Sequence, residues 1–523
     1  MQFSFRFTPV GFFARCAVWM LATGTGSVLL PGVVSAQTLQ TQEQGKSTHP
    51  SWWLEPHIAV QHTVTSNVRR NATDISDQVT EVSPGLRWVG NTARIKGFAD
   101  YTLHGIHYAH DSDQANVRHK LNAHVAIEAI EQRVFVDVDG VVSLQSLSAF
   151  GAPVDGAPAN PNAVQTSRFG ISPYLRGRFG SAAEYEVRYK VQRTLTDTDR
   201  SSNITLQDWR LHLNNQASGQ RLGWSVDATQ EQADYSFGRS IDTTALRGRL
   251  SYAATPQLML AVVGGTESTN QISLERESHR IWGVGAQWRP SERTRLVFER
   301  ESRYFGESHN VLLEHRTART VWRYTDTRGV SNGLGVPSAS MGGLFDLLNG
   351  FYAPMEPDPI RRTQLVLAEM DRLGLPADFQ VPQDFLRSSS TLKRSQQLSL
   401  ALLGRRSVVT LAVMQSQQQR LGLQGLNLGD DFDANAHIRQ RGWGLLLSHR
   451  LTPNMSVQTG LVEQRSVGTA SDQQTRVRSL SLGLNTLLAP RTSGAILLRR
   501  TVSNGRASPY NESALVATLT HRF

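Results

Sequence analysis

Apolar and polar residues alternate one by one along most of the chain between Trp52 and the last residue, Phe523. The run AEYEVRYKVQ at 183–192 is the clearest case, because its odd-numbered residues are apolar and its even-numbered residues are charged or polar. Similar runs recur at 121–129, 134–139, 222–228, 246–252, 282–288, 443–451 and 480–484. Successive side chains of a strand point to opposite faces, so each run predicts a strand of about 10 residues with one apolar face, as in strands that cross a bilayer.

The segments that join these runs alternate between tight turns and long polar loops. The tight turns include 289–292, 404–407 and 452–454, and the long loops include 148–166 and 421–436. Short periplasmic turns and long external loops are typical of outer-membrane barrels. A soluble β-sandwich or propeller is the rival fold, but its strands are shorter and its large residues fill a central core.

The aromatic residues of this chain lie toward the ends of the predicted strands, as in the aromatic girdles at a membrane interface. Examples are Trp88, Tyr108, Trp282, Trp288 and Trp322. The segments add up to about 21 strands, but a single-chain bacterial barrel has an even number. The pattern therefore predicts an all-β fold: a transmembrane, antiparallel outer-membrane β-barrel of about 20 strands.

One long stretch, 327–391, departs from the alternation and is where we expect the miscount of strands. Residues 331–357 are rich in Gly, Pro and Ser, but a helix is predicted next, because Asp358 can cap it and Pro359 suits its first position. Its predicted apolar face is formed by Ile360, Val366, Leu367, Met370 and Leu373. This small helical insert can plug the barrel, lie on its periplasmic rim, bind a partner, or be an ordinary connecting helix.

The first 36 residues have the pattern of a cleavable secretory signal peptide. Arg6 and Arg15 precede an apolar stretch without acidic residues, which ends in the small residues of Val34-Ser35-Ala36. We expect 37–51 to be a periplasmic N-terminal segment and 52–523 to be the barrel. The only cysteine, Cys16, belongs to the signal peptide, so the mature chain has no thiol chemistry.

The chain ends in an alternating segment that closes on Phe523. A last strand with a terminal Phe resembles the end recognised by the outer-membrane barrel assembly machinery. We therefore predict that Phe523 is an assembly signal, and that this machinery and outer-membrane lipid are partners of the chain. No nucleic-acid partner is expected.

Charge suggests what the inside of such a barrel contains. Without Arg6 and Arg15, the 54 basic residues fall to 52 against 44 acidic ones, a formal charge of +8. If the apolar faces meet lipid, the opposite faces place nine cations in the lumen: Arg94, Lys96, Arg176, Arg178, Arg188, Lys190, Arg210, Arg247 and Arg249. Such cations attract anions. Acidic neighbours such as Asp137, Asp139 and Glu186 can also neutralise them pairwise and leave a hydrated, salt-bridged lumen.

Two other kinds of site are weakly indicated. The stretch YAHDSD at 108–113, near His104 and His107, offers a base, an acid and a hydroxyl, but catalytic groups must converge in space, and a solvated loop is favoured over an enzyme. The loop DDFDAN at 430–435 spaces oxygen ligands as calcium loops do, but it lacks the Gly and the bidentate Glu of an EF-hand. We therefore assign no catalytic residue, metal or cofactor.

Several segments resemble the outer-membrane protein family associated with the PEP-CTERM and exosortase system. These are VSPGLRW at 82–88, GISPYLRGRFGSAAEYEVRYK at 170–190, RYFGESHNVLLEHRTARTVWRYTDT at 303–327, DPIRRTQLVLAEMDRLGLP at 358–376 and the terminal Phe523. The resemblance covers nearly all of the mature chain. Members of that family are found with exopolysaccharide biosynthesis and export genes, and the family has no established functional residues to carry over.

The resemblance implies a barrel that supports exopolysaccharide export or passage across the outer membrane. An anionic polysaccharide and export-system proteins are then the expected partners. Two alternatives stay open: a general or solute-specific porin, and a structural or assembly partner of a surface system that does not conduct.

Overall fold

The computed structural model describes residues 51–110, 116–155, 159–215, 221–332, 343–352, 356, 359–373, 384–422, 429–470, 473–505 and 509–523. The predicted signal peptide and nearly all of the predicted periplasmic segment lie outside these residues.

Twenty-two strands form one antiparallel sheet in which each strand pairs with the next along the chain. Pairing of the first strand with the last, from His57↔Arg522 to Thr65↔Ala514, closes the sheet into a barrel. The strands are β1 Trp52–Thr65, β2 Asp77–Asn91, β3 Ile95–Tyr108, β4 Asn116–Ile130, β5 Val134–Ser146, β6 Ala163–Phe179, β7 Ala183–Thr196, β8 Ile204–Asn214, β9 Leu222–Tyr235, β10 Ile241–Ala253 and β11 Leu258–Thr269. They continue as β12 Glu277–Ser291, β13 Thr294–Arg303, β14 Gly306–Arg316, β15 Thr320–Ser331, β16 Thr391–Leu403, β17 Ser407–Arg420, β18 His437–Thr452, β19 Met455–Val467, β20 Gln474–Ala489, β21 Thr492–Gly505 and β22 Tyr510–Arg522.

The alternation of each strand separates an outer wall from an inner wall. In β7, Val187 lies opposite Leu175 on one side and Leu211 on the other, so apolar residues line up across three strands of the outer wall. Large apolar side chains on these rows are exposed, such as Trp282, which is 67% exposed. The prediction for Tyr108 was wrong, because it lies on the inner face of β3 and is buried against Val79 and Ile106.

The two ends of the barrel differ in the length of their connections. The near end holds the start of β1, the end of β22 and short turns such as 404–406 and 453–454. Gly180, with a φ of +57°, begins one of these turns in a conformation that disfavours other residues. The far end holds the long connections, among them 147–162 and 421–436, so the chain has the asymmetry that its sequence predicts.

Many strands are longer than a bilayer requires. β18 has 16 residues, which at about 3.3 Å per residue and a tilt of about 45° give a height of about 37 Å, against an apolar band of about 25 Å. The wall therefore continues beyond any apolar band, and its outer face there is free to be polar.

The connection between β15 and β16, residues 332–390, is called the insert. It contains two helices, α1 Gly343–Tyr352 and α2 Pro359–Leu373, and the second begins at the Pro359 that predicted it. We had not predicted α1. The described part of the insert adds no strand to the barrel. The strand that the count from the sequence missed therefore lies elsewhere in the chain. None of the described helices is long and apolar enough to cross a membrane.

Candidate functional site in the lumen

The inner wall carries most of the cations that the sequence places there. Eight of the nine occupy alternate positions on the face opposite the exposed apolar rows: Lys96 in β3, Arg176 and Arg178 in β6, Arg188 and Lys190 in β7, Arg210 in β8, and Arg247 and Arg249 in β10. Arg94 instead lies in the exposed turn between β2 and β3 at the near end.

Five of these cations form ion pairs within the lumen. Arg188 contacts Asp137 at 2.7 Å and Glu186 at 2.8 Å, which joins β5 and β7. The other pairs are Arg178 with Glu184 at 2.6 Å, Arg210 with Asp208 at 3.2 Å, Arg247 with Glu301, and Arg249 with Glu299. Pairwise neutralisation therefore dominates this part of the wall, and a hydrated but salt-bridged lining is what the geometry provides.

The remaining cations have other surroundings. The Arg176 guanidinium lies 4.0 Å from the centre of the Phe135 ring, a cation–π contact on the inner wall. Among the described residues, no carboxylate lies within ion-pair distance of Arg94, Lys96, Arg176 or Lys190. Within the described part of the chain, no ion pair therefore neutralises these four charges.

A second group of cations, which sequence reasoning missed, surrounds a cavity of about 580 Å³ at the near end. It is lined by Arg289, Arg293, Arg295, Arg316 and Arg323, with Glu292 and Glu314 as the acidic members, and we call it the vestibule. Glu314 lies between Arg295 and Arg323 in the cross-strand register, and its carboxylate is 3.8 Å from Arg323. The alternation of RLVFER at 295–300 could have found part of this group, but the turn residues have no such pattern.

The helices of the insert lie beside this vestibule. Leu348 of α1 and Val366 and Met370 of α2 are buried against Val408 of β17 and Leu446 of β18. Val408 and Leu446 belong to the inner face and to the near half of their strands. Arg316 of the vestibule also donates to the carbonyl oxygen of Gly350 in α1 at 3.4 Å. β15 and β16 meet the insert at the far end, whereas its two helices pack on the inner face toward the near end.

The predicted plug face is only partly visible in these contacts. Met370 is buried in the cluster, and Leu367 packs against it while partly exposed. The side chains of Ile360 and Leu373 lie outside the described residues, although both positions belong to α2.

At the far end, three segments form a layer across the opening, and we call them the cap: 147–155, 384–390 and 429–436. Phe385 of the insert packs with Phe150 and Phe432 from the other two segments. The backbone of Phe385 also forms an isolated β-bridge with Ser146 at the end of β5. The hydroxyl of Thr475 in β20 donates to the carbonyl oxygen of Phe150 at 2.9 Å. The cap therefore connects walls on widely separated parts of the barrel.

Polar contacts fix the insert within the cap. Asp384 is 2.7 Å from the ammonium of Lys393 on the inner face of β16. Burial alone would raise the pKa of Asp384, but the charges of Lys393 and Arg387 outweigh it and lower the pKa to about 2. The Ser388 N–H donates to Asp430 at 2.9 Å, and the Ser202 N–H donates to the Ser388 hydroxyl at 3.0 Å. The end of the insert is thus held from three sides.

A buried cluster of four charges anchors the first cap segment to β21 and β22. Arg70, 2% exposed, contacts Asp155 at 2.6 Å and Glu512 at 2.7 Å. Arg499 contacts the same Glu512 at 3.0 Å. Burial lowers the pKa of Arg70, but the charges of Asp155 and Glu512 raise it above its ordinary value, so Arg70 stays a cation. Its φ of +51° shows that the backbone adopts an unfavourable conformation to make these contacts.

In the aspartate-rich loop 430–435, carboxylate oxygens bind other groups of the protein. Arg420 contacts Asp430 at 2.7 Å and Asp433 at 2.8 Å, and the Ala149 N–H donates to Asp431 at 2.7 Å. Burial raises the pKa of Asp431 to about 6. The aspartates whose spacing is similar to that of a calcium loop therefore hold the segments of the cap together.

A serine, a histidine and a carboxylate do meet in the lumen, but not as a catalytic triad. His104 Nδ1 lies 2.7 Å from Glu81 and 3.0 Å from the Ser83 hydroxyl. In a triad the acid and the hydroxyl bind opposite nitrogens of the ring. Here both bind the same nitrogen, so the acid cannot orient the ring toward the serine. In the candidate stretch YAHDSD at 108–113, residues 111–113 lie outside the described residues.

Phe523 follows the end of β22 at the near end of the seam between the last strand and the first. Its N–H donates to the carbonyl oxygen of Pro56 at 2.9 Å, and its ring is 62% exposed. The contact continues the pairing that closes the barrel.

Several solved structures are similar to this barrel. The siderophore receptor PirA from Pseudomonas aeruginosa is 11% identical, with 90% of this chain and 80% of that chain covered and a TM-score of 0.43. OccK3 (OpdO) from Pseudomonas aeruginosa is 10% identical, with 90% and 95% covered and a TM-score of 0.34. The alcaligin outer membrane receptor FauA from Bordetella pertussis is 11% identical, with 89% and 76% covered and a TM-score of 0.37. No protein-family model and no curated protein matches the sequence.

Proposed function

We propose that this chain spans the outer membrane of a Gram-negative cell and forms a conduit for an anionic exopolysaccharide, which the insert keeps closed. The observation that carries this proposal is the position of the two helices of the insert, which pack on the inner wall toward the near end. A 22-stranded barrel is wide enough to leak small solutes unless something fills it. The insert and the cap fill it at both ends.

The membrane location is supported by the outer wall. Rows of exposed apolar residues circle the barrel, and tryptophans such as Trp88, Trp288 and Trp322 lie toward the near end of those rows. An apolar surface of this extent is unfavourable in water, so it must be covered by lipid or by a large partner. In this orientation the near end, with its short turns, faces the periplasm.

The vestibule supports an anionic cargo. Its five arginines against two glutamates face the compartment from which an exported polymer enters. A cleft lined by one sign of charge raises the local concentration of the opposite sign. The resemblance of 170–190 and 303–327 to the family found with exopolysaccharide genes favours a polysaccharide over a small solute, and export-system proteins are then the expected partners at the near end.

Conductance in planar bilayers tests the proposal. The intact barrel should give small or intermittent currents. Replacing 333–383 by a short Gly/Ser linker keeps Asn332 and the cap, and should open only the near end. Replacing 331–388 also removes the insert's part of the cap and should give large, steady channels. A wide open intact barrel, or no change after the longer excision, would contradict the plug and favour a structural partner that does not conduct.

A reversible version of this test uses the absence of cysteine after residue 16. Cysteines at Met370 and Leu446, which belong to the same buried cluster, should form a disulfide that holds α2 on the wall. The oxidised protein should stay silent, and reduction should restore intermittent openings. A cysteine pair at Val408 and Leu403, both on the wall, is the matched control, and its currents should not depend on the redox state.

The cargo is tested on the excised barrel. The double variant R295Q/R323Q should lower the preference for anions over cations, because it removes two vestibule charges that flank Glu314. R176Q/R178Q is the matched control on another part of the inner wall. An equal loss in both variants would mean that the vestibule has no special role.

Phe523 tests the location. Deleting it should lower the amount of heat-modifiable barrel in the outer-membrane fraction, since the closing seam loses its last contact. Replacement by Tyr keeps a terminal ring and should restore the yield. A normal yield after deletion would count against Phe523 as an assembly signal.

A further inference from the structure

A groove of about 760 Å³ lies on the far end of the barrel wall, over β14 to β19. Its lining includes Arg328, Arg394, Gln417, Arg439, Arg441 and Arg465, and we call it the rim groove. These six residues belong to the outer face, because they continue the alternate positions of exposed residues such as Trp322, Leu398 and Trp443. These six side chains therefore point away from the lumen, although the inner-face residues Gln418 and Ile438 also border the groove.

Two rows of the cross-strand register place these cations side by side. In the upper row, Arg328 lies opposite Arg394, which is followed by Gln417 and Arg439. In the lower row, Arg441 lies directly opposite Arg465, which lies directly opposite Arg476. Like charges in direct cross-strand positions destabilise a sheet. Arg476 is paired with Glu463, so Arg441 and Arg465 remain as a directly opposed like-charge pair whose repulsion a bound anion would offset.

The carboxylates near the groove are already used by other cations. Asp326 contacts Arg394 at 2.8 Å, Glu463 contacts Arg476 at 2.7 Å and Arg478 at 2.9 Å, and Glu307 contacts Arg300. Among the described residues, no carboxylate lies within ion-pair distance of Arg328, Arg439, Arg441 or Arg465. Within the described part of the chain, no acidic side chain neutralises these four.

The height of the groove identifies the environment that can supply it. In the row two residues closer to the near end, Trp443 and Leu398 replace Arg441 and Gln396, while Glu463 and Arg478 keep part of that row charged. The row after it contains Leu461 and Leu480. Two residues of a tilted strand span about 5 Å in height. The arginines therefore lie just beyond the interfacial aromatic residues, at the level where lipid headgroups lie.

We infer that the rim groove binds the phosphorylated glycolipid headgroup of the outer leaflet, of the lipid A class. This inference rests on the proposed membrane location. Arginine suits the ligand, because its planar guanidinium donates two parallel hydrogen bonds to a phosphate. The volume lies within the range of about 300 to 1,000 Å³ that is typical of ligand pockets. Among the residues described on the opposite wall there is no comparable row; its outward cations at this height include Arg193 and Arg280, on separate strands.

The test uses the full-length barrel in detergent with purified bisphosphorylated lipid A. Lipid A should raise the thermal midpoint of the wild type and remain bound in native mass spectrometry. R441Q/R465Q should weaken this binding by about tenfold or more, since it removes the charged hydrogen bonds of two guanidinium groups to phosphate. R441K/R465K keeps the charge without the bidentate geometry and should show an intermediate loss. R193Q/R280Q removes the same charge from the opposite wall and should bind like the wild type.

Without lipid, R441Q/R465Q should be as stable as the wild type or more stable, because it removes the like-charge pair. An unchanged or higher stability without lipid would show that the variant has lost lipid binding and not the ability to fold. Equal lipid binding by R441Q/R465Q and R193Q/R280Q would overturn the inference. The same is true if dephosphorylated lipid A or inorganic phosphate alone stabilises the barrel as well, or if a phosphate-free anionic polysaccharide such as alginate competes for the groove with equal effect.

Cell fractionation separates this inference from the proposed location. A wild-type chain that is absent from the outer-membrane fraction would contradict the location itself. A chain that is present there but retains no lipid A through the groove would overturn only the lipid site.

Discussion

Two pairs of arginines face each other across neighbouring strands, one pair in the lumen and one on the outer wall. In the lumen, Arg188 lies opposite Arg210, and each has a carboxylate, Asp137 and Glu186 for the first and Asp208 for the second. On the outer wall, Arg441 lies opposite Arg465, and no described carboxylate contacts either.

The difference shows that the two walls handle charge in different ways. In the lumen, Arg188 and Arg210 are neutralised by carboxylates that the fold brings together, whereas no described carboxylate pairs with Lys96, Arg176 or Lys190 on the same wall. At the proposed position of the rim, water, ions and lipid headgroups can neutralise a cation. Loss of a partner is therefore costly where a cation is enclosed by protein, and the absence of one is tolerable at the rim.

The largest effect is expected where a paired cation is fully buried. R70M removes one of the two arginines that Asp155 and Glu512 share, leaves Arg499 as the other, and should cost about 3 to 5 kcal/mol. Hydrogen exchange in 147–155 should then accelerate roughly 100-fold or more. The control is R500M, whose exposed guanidinium donates to the Ser513 hydroxyl, and it should leave this segment protected. Unchanged protection in R70M would mean that the cap does not depend on the cluster.

An arginine can also be placed on the outer wall at mid-height, where neither a carboxylate nor a headgroup is available. V187R should cost about 2 to 4 kcal/mol. Q192R, on the inner face of the same strand, should be tolerated. The free energy of unfolding in lipid vesicles measures both, and equal costs would show that β7 does not face lipid as proposed.

The same substitution on the two walls should have opposite signs. R188Q removes the partner of Asp137 and Glu186 and should destabilise the barrel by about 1.5 to 3 kcal/mol. R441Q removes a repulsion and should leave stability in detergent unchanged or raise it by up to about 0.5 kcal/mol. Denaturant unfolding in detergent compares them, and a loss in R441Q would contradict the idea that the rim arginines lack internal partners.

The smallest effect concerns a buried carboxylate in the cap. Burial raises the pKa of Asp431 to about 6, so the folded protein binds a proton there that the unfolded chain has already lost above about pH 4. The stabilising effect is complete below pH 4 and is lost as the pH rises through 6. D431N should therefore match the wild type at pH 4 and exceed it at pH 7.5, by about 1 kcal/mol after allowance for solvent. A constant difference in thermal midpoint across this range would exclude Asp431 as the titrating group.

Local patterns in the sequence determined a large part of this molecule. The alternation of AEYEVRYKVQ separates the outer wall from the inner wall, because side chains of a strand point to opposite faces whatever their neighbours are. Turn residues fixed the difference between the two ends, and Pro359 fixed where α2 begins. All of these depend on residues that are close in the chain.

Tertiary structure alone decided which charges meet and where the insert lies. Arg70 and Glu512 are 442 residues apart, and only the closing of the barrel brings them together. The cross-strand register, not the alternation, sets Arg441 against Arg465 and Glu314 between Arg295 and Arg323. Tyr108 is an aromatic residue near a strand end, as girdle residues are, but it lies on the inner face. A period of two tells which face a side chain occupies; its partner depends on register and closure, which no local pattern contains.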